Sequence, residues 1–268
     1  MKENKQHIGI FDSGLGGLTV LKALKQTLPN ESFIYFGDTE HLPYGNKSQK
    51  SIVEYSLNIA KFLYKKNIKA IVVACNTASA VALEPLKQKY SIPVLNVIDP
   101  SITRAVNLSS AQTIGVIGTE TTILSQAYQK KIQNKNPKAE VFSKACPLFV
   151  PVIEEGLMNH NFSNDIAKFY LNFFKKKPID SLILGCTHYP LFKKTIQNNM
   201  NSNVLIIDSA KETARHVSKY LLKKQLLTEE KNNSLVDEYY VSDKPEQFNR
   251  LANIFLNIQN IQVRHVSL

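Results

Sequence analysis

The chain has no apolar run near the roughly 20 residues that crossing a bilayer requires. Its opening segment, Met1–His7, is polar, and no apolar signal core or small-residue cleavage site follows it. These absences predict a cytoplasmic protein with no membrane partner, whose three cysteines, Cys75, Cys146 and Cys186, stay reduced. Arginine is scarce: Arg104, Arg215, Arg250 and Arg264 are the only four. The formal charge of +11 therefore rests on lysine. Zinc-finger spacing, an RNA-recognition signature and an arginine-rich arm are all missing, so the charge reads as a solvated surface, with no nucleic-acid partner. Lysines such as Lys61, Lys65, Lys66 and Lys69 fall on expected helix faces, and the positive field can attract an anionic substrate. No low-complexity tract and no solenoid repeat is present.

What remains is a globular pattern: 268 residues, 43% hydrophobic and 21% charged, enough for one large or two smaller domains. Strand-like runs at 7–12, 33–37, 70–75, 93–97, 113–117, 139–145, 181–185 and 203–207 alternate with helical periodicity, as at 17–28, 48–66, 78–90 and 210–222. Such alternation predicts parallel sheets with helices on both faces, and ligands outside the carboxyl ends of strands. Val97–Pro100 reads as the crossover between two halves. The tail adds a strand-like piece at 238–242 and a helical piece near 245–257, expected to pack back onto the first half.

Two of those runs end in a thiol followed by hydrogen-bonding side chains: Ala70 to Cys75-Asn76-Thr77, and Ser181 to Cys186-Thr187-His188. Two others also look like copies, Ile8–Ser13 and Ile114–Thr119. Ser13 precedes Cys75 by 62 residues and Thr119 precedes Cys186 by 67. The same order thus occurs twice at nearly one interval. A free cysteine taken singly is often just a small buried hydrophobe. Paired in this register, the thiols can face each other across a cleft, one removing a proton from carbon and the other supplying one from the opposite side. The expectation is two similar parallel-sheet α/β domains related by a pseudo-twofold axis, residues 1–98 with 210–268 and residues 99–209, with the active site in the cleft between them. Cys146 has no counterpart in the repeat and is expected to be structural.

Asp12-Ser13-Gly14-Leu15-Gly16-Gly17-Leu18-Thr19 is a glycine-rich strand-to-helix turn. Gly14 and Gly16 fit a dinucleotide fingerprint, but Thr19 stands where its last glycine belongs. A P-loop is excluded because no Gly-Lys-Ser/Thr end follows. A cradle of backbone N–H groups for a small anion remains. Asp12 could be only a helix cap, yet its place at a strand end favours a role near the reacting centre. His188 suits a proton partner for Cys186. A metal held by Cys75, Cys186, His188 and Asp12 is the weaker reading, since Cys-x-His is not a familiar zinc spacing. Pro43-Tyr44-Gly45-Asn46 reads as a turn. Asn76, Thr77, Thr119 and Thr187 can bind the carboxylate and ammonium of an amino acid. Glu154 and Glu155 are either solvated or one of them partners His188.

With these residues in place, the chain resembles the glutamate racemase family over about residues 7–220. The resemblance rests on Phe11–Gly17, Gly37-Asp38, Pro43–Gly45, Val73–Ala78, Cys146–Pro151 with Glu154–Gly156, and Leu184–Pro190. It implies that Cys75 removes the α-proton of D-glutamate and Cys186 that of L-glutamate, with Asp12 assisting Cys75 and His188 assisting Cys186. It implies Glu155 as the partner of His188. Asp12, Ser13, Tyr44, Gly45, Asn76, Thr77, Thr119, Thr187 and His188 would line the substrate site. It further implies a homodimer without pyridoxal phosphate or metal, supplying D-glutamate for peptidoglycan. Two departures stand out: His41 where the family usually has arginine, and Pro100-Ser101 where Pro-Gly is common. Rival readings are a racemase of aspartate or a related amino-acid derivative, an amino-acid-binding protein without catalysis and, more weakly, a nucleic-acid-binding module.

Overall fold

The computed structural model describes residues 6–108, 113–229, 235–256 and 261–268. The sequence readings for residues 1–5 and for residue 257, at the end of the tail helix, lie outside them. The first half runs β1 (His7–Asp12), α1 (Leu18–Thr27), β2 (Phe33–Gly37), α2 (Gln49–Lys65), β3 (Ile68–Val73), α3 (Asn76–Val81), α4 (Leu83–Lys89) and β4 (Val94–Asn96). The second runs α5 (Ile98–Val106), β5 (Thr113–Gly118), α6 (Glu120–Leu124), α7 (Ala127–Lys135), β6 (Glu140–Ala145), α8 (Phe149–Glu154), α9 (Asn161–Leu171), β7 (Ser181–Gly185), α10 (Lys193–Asn198), β8 (Leu205–Asp208) and α11 (Ser209–Lys223). The tail adds β9 (Glu238–Val241), α12 (Pro245–Leu256) and β10 (Val263–His265).

Both sheets are parallel. The first has the order β10-β9-β2-β1-β3-β4 and the second β6-β5-β7-β8. Setting the tail strands aside, each half orders its strands second, first, third, fourth. The side on which the chain adds its next strand reverses between β1 and β3 in one sheet and between β5 and β7 in the other. Crevices at such reversals are where ligands bind in open α/β sheets. The strands are apolar on both faces: every residue of β1, β2, β3 and β7 is buried, as helix-covered parallel sheets demand.

The halves share a core. One cluster of buried side chains joins Ile8, Ile10 and Leu18 of the first to Leu182, Leu184 and Phe149 of the second. Helix α11 joins them, packing on α1 as well as on β7 and β8. Burial at about 25 cal/mol per Å² makes such a shared core the main force holding the halves in one orientation. Among the described residues no helix is long and apolar enough to cross a membrane.

Several local expectations change. The helix expected at 78–90 is two helices meeting at Ala82. Pro85 has no N–H to offer the Val81 carbonyl, and its ring crowds that carbonyl. Val97–Pro100 is no bare crossover: α5 begins at Ile98, and Pro100 lies in its first turn, where the missing N–H is harmless. Lys69 is on no helix face. Asn67, at φ 55°, ends α2 in the left-handed region that asparagine tolerates, so Lys69 falls within β3. There Lys69 pairs with Glu31 at 2.5 Å, both side chains almost fully buried. Lys69 Nζ also donates to the Leu226 carbonyl at 2.8 Å and to Thr228 Oγ1 at 3.0 Å, tying the segment after α11 to the first sheet.

Candidate active site

The two thiols stand just past equivalent strands. Cys75 lies two residues beyond β3 and caps α3: its Sγ accepts the Ala78 N–H at 3.4 Å. Its thiol points to Ser13 Oγ at 3.5 Å, so the turn after β1 meets the turn after β3. Cys75 is 4% exposed, and burial, with the charge of Asp12 added, pushes its pKa up to about 12. Cys75 thus rests as a thiol.

Cys186 follows β7 directly and is 6% exposed. Its sulfur lies 3.8 Å from His188 Nδ1, while His188 Nε2 meets Glu154 Oε1 at 2.9 Å. Burial alone would lower the His188 pKa. The hydrogen bonds and charges of Cys186 and Glu154 outweigh it and raise the value to about 10. An imidazolium therefore stands beside Cys186 at neutral pH.

Asp12 ties the two sides together. Its carboxylate accepts the Gly14 N–H at 3.0 Å and, more weakly, the Thr187 hydroxyl at 3.5 Å. Complete burial raises its pKa, and the nearby His188 pulls it back down. Gly16 brings the turn after β1 against the Cys186 loop. A Cβ there would lie 2.3 Å from Thr187 Oγ1 and 2.4 Å from His188 Nδ1, so only glycine fits. Thr19 Oγ1 adds a 2.8 Å bond to the Thr187 carbonyl. The glycine-rich turn thus holds the Cys186 loop, and the residues Asp12, Ser13, Cys75, Cys186, Thr187 and His188 form one cluster.

The remaining expected residues flank it. Thr77 Oγ1 lies 3.0 Å from Thr119 Oγ1 and 3.2 Å from Thr122 Oγ1, a ring of hydroxyls joining α3 to the turn after β5. Asn76 is 2% exposed; its Oδ1 accepts the Tyr128 hydroxyl at 2.7 Å, and its Nδ2 has no partner among the described residues. Gly45 abuts Thr119, where a Cβ would come within 3.0 Å of the threonine Cβ. Tyr44 is buried and donates to Asp38 Oδ2 at 2.5 Å. Asp38 also takes the Ser242 hydroxyl at 2.7 Å and His41 Nδ1 at 2.8 Å. His41 stacks on Tyr55 with ring centres 3.9 Å apart. The His41 imidazole thus braces the Tyr44 loop through Asp38.

One expected residue is misplaced by one position. The carboxylate on His188 is Glu154, whereas Glu155 is exposed at the C-terminal cap of α8. One residue turns a helix by about 100°, enough to swing a side chain from His188 into water. Thr122 and Tyr128 were missed. Both lie on helices after β5, and Thr122, three places after Thr119, carried the one usable signal. Cys146 is fully buried in the shared core, and its carbonyl accepts the Tyr189 hydroxyl at 3.0 Å, in keeping with a structural role.

Comparison with known proteins points one way. Residues 8–217 match the Asp/Glu/Hydantoin racemase family. The chain is 50% identical to a glutamate racemase of Geobacter metallireducens, over 97% of this chain and 96% of that one. Its fold superposes on the crystal structure of a Francisella tularensis glutamate racemase in complex with D-glutamate, with TM-score 0.92, 41% identity and 98% of both chains covered. A glutamate racemase from Bacillus anthracis gives TM-score 0.94 at 37% identity, covering 99% of this chain and 98% of that one.

Proposed function

The chain belongs to the Asp/Glu/Hydantoin racemase family, and we propose that it inverts glutamate by a two-base mechanism through Cys75 and Cys186. It is an isomerase that racemises glutamate, as its full-length likeness to glutamate racemases indicates. The observation that carries the mechanism is the duplicated strand order, with a buried thiol past the same strand in each half.

In this reading L-glutamate binds between the thiols with its α-hydrogen toward Cys186. The imidazolium of His188, held by Glu154, stands beside the Cys186 sulfur as its partner in the proton transfer. Cys186 takes the α-proton, the electron pair of the broken C–H bond passes toward the carboxylate, and Cys75 delivers its own proton to the opposite face. The product is D-glutamate with the proton states of the two sulfurs exchanged. In the reverse direction Cys75 is the base, assisted by Asp12. Donors from Ser13, Asn76, Thr77 and Thr187 meet the developing charge on the substrate, where preorganised hydrogen bonds contribute most. Tyr44, Gly45 and Thr119 close the far wall. The chemistry as proposed needs neither pyridoxal phosphate nor a metal ion.

The same proposal divides the chain into residues 1–98 with 210–268, and 99–209. It makes the enzyme a cytoplasmic homodimer supplying D-glutamate for peptidoglycan, and the family resemblance supports those assignments. The test is incubation of the pure protein with L-glutamate in D2O without added cofactor. Deuterium is expected at the α-carbon of newly formed D-glutamate ahead of the remaining L-glutamate. Turnover of aspartate but not glutamate would replace the substrate assignment.

A further inference from the structure

Helix α7 begins abruptly. Gln126, its N-terminal cap, adopts φ 56° and ψ 17°, left-handed geometry that strains a non-glycine residue. That turn breaks the path between α6 and α7 and sends Tyr128, on the first turn of α7, into the interior, where it is 2% exposed. Its ring lies against Gly185, the residue before Cys186, where an added Cβ would come 3.2 Å from the tyrosine Cε2. Its hydroxyl crosses to the first half and donates to Asn76 Oδ1 at 2.7 Å. Asn76 follows Cys75 in the chain. Tyr128 therefore rests beside one thiol loop and bonds the other.

The amide of Asn76 can be held in two orientations, one presenting oxygen and one presenting nitrogen to a ligand. The structure holds one of them: the Tyr128 hydroxyl donates to Oδ1 and Nδ2 is left over. The remaining amide atom is Nδ2, a buried donor with no partner among the described residues. An unpaired buried donor is costly, and a ligand acceptor recovers that cost. An amide turned the other way would set partial negative charge against a carboxylate.

Building on glutamate as the substrate, we propose that Tyr128 is a positioning residue that locks the Asn76 amide so that Nδ2 donates to a carboxylate oxygen of bound glutamate. Tyr128 touches no reacting atom; it sets substrate affinity through Asn76. The strained turn at Gln126 is the device that delivers its hydroxyl across the cleft.

The test is a double-mutant cycle on the full chain, read as kcat and KM for both enantiomers. Tyr128→Phe keeps the ring and removes the donor. It is expected to raise KM about tenfold, the scale of one lost buried hydrogen bond, with kcat within about twofold. Asn76→Ala raises KM further, and Tyr128→Phe then adds less than about twofold in that background. Multiplying effects in the double variant, or an unchanged KM in Tyr128→Phe, would overturn the proposal. Asn76→Asp, with Tyr128 intact, tests the same point without touching the phenol. It presents only acceptors and is expected to bind D-glutamate more weakly than Asn76→Ala by titration calorimetry; binding as tight as the wild type would refute the inference. Wild-type racemisation in the same assay separates the two levels. If the wild type racemises and the cycle fails, only Tyr128 loses its role; if the wild type does not racemise glutamate, the substrate assignment itself falls.

Discussion

The two halves repeat a strand order but not an electrostatic environment. Past β3, Cys75 meets a hydroxyl, a backbone N–H and the buried carboxylate of Asp12. Past β7, Cys186 meets an imidazole backed by a second carboxylate. Burial drives the first thiol toward its neutral form, whereas the neighbours of the second hold a positive charge close by. Duplication of the scaffold supplies two equivalent positions, each just past the third strand of its half. Divergence of a few side chains then gives the two positions different neighbours, a carboxylate beside Cys75 and an imidazole beside Cys186.

The strongest attempt to break that comparison removes one sulfur at a time. Cys75→Ala and Cys186→Ala are each expected to lower racemisation by about a thousandfold or more, with circular dichroism unchanged, because general acid–base groups contribute about 10²–10⁴ each. Enantiomers have equal free energy in water, so kcat/KM must fall by one factor in both directions whichever sulfur is lost. Near-normal turnover in either variant would end the two-base reading. Gly16→Ala attacks the contact between the halves: the added methyl displaces Thr187 and His188, and kcat/KM is expected to fall about a hundredfold. Wild-type kinetics in that variant would show that the turns need not meet.

Smaller changes sharpen the asymmetry. Glu154→Gln is expected to cost about tenfold in kcat/KM by weakening the charge that holds His188, while Glu155→Gln stays within about twofold. Reversal of that order would restore Glu155 to the site. Stability supplies the last comparison. The folded-state pKa of His188, about 10, lies above its ordinary value of 6.5. Its contribution is therefore complete below pH 6.5 and is lost as pH rises through about 10. The melting temperature of the wild type relative to His188→Asn should decline across that window. A difference independent of pH would mean that His188 is not held as the cation.

The sequence exposed the candidate reactive groups because each breaks a pattern. Asp12, Cys75 and Cys186 are polar or reactive side chains where a buried apolar run stops, and no packing rule asks for them there. Thr187 and His188 follow for the same reason. Glu154 and Glu155 were not separable, since which of two adjacent carboxylates faces inward depends on where α8 begins. Tyr128 was hidden because a tyrosine in an amphipathic helix looks like ordinary core; the aim of its hydroxyl is a tertiary fact set by Gln126. Lys69 failed for a local reason: Lys65-Lys66-Asn67-Ile68-Lys69 continues a helical charge pattern, and only the left-handed turn at Asn67 reveals that a strand has begun. The two sheets were legible from alternation alone, while the burial of Lys69 against Glu31 was not, because its partners are supplied by distant parts of the chain.

The sheets also differ in when they can be finished. All strands of the second lie between Thr113 and Asp208 and can assemble as soon as that stretch leaves the ribosome. The first must wait for β9 and β10 to cover the edge of β2. Until the last thirty or so residues emerge, β2 offers unpaired N–H and C=O groups to any passing strand. Nascent chains halted before Glu238 should therefore be the aggregating species, with the half that was made first being the one completed last.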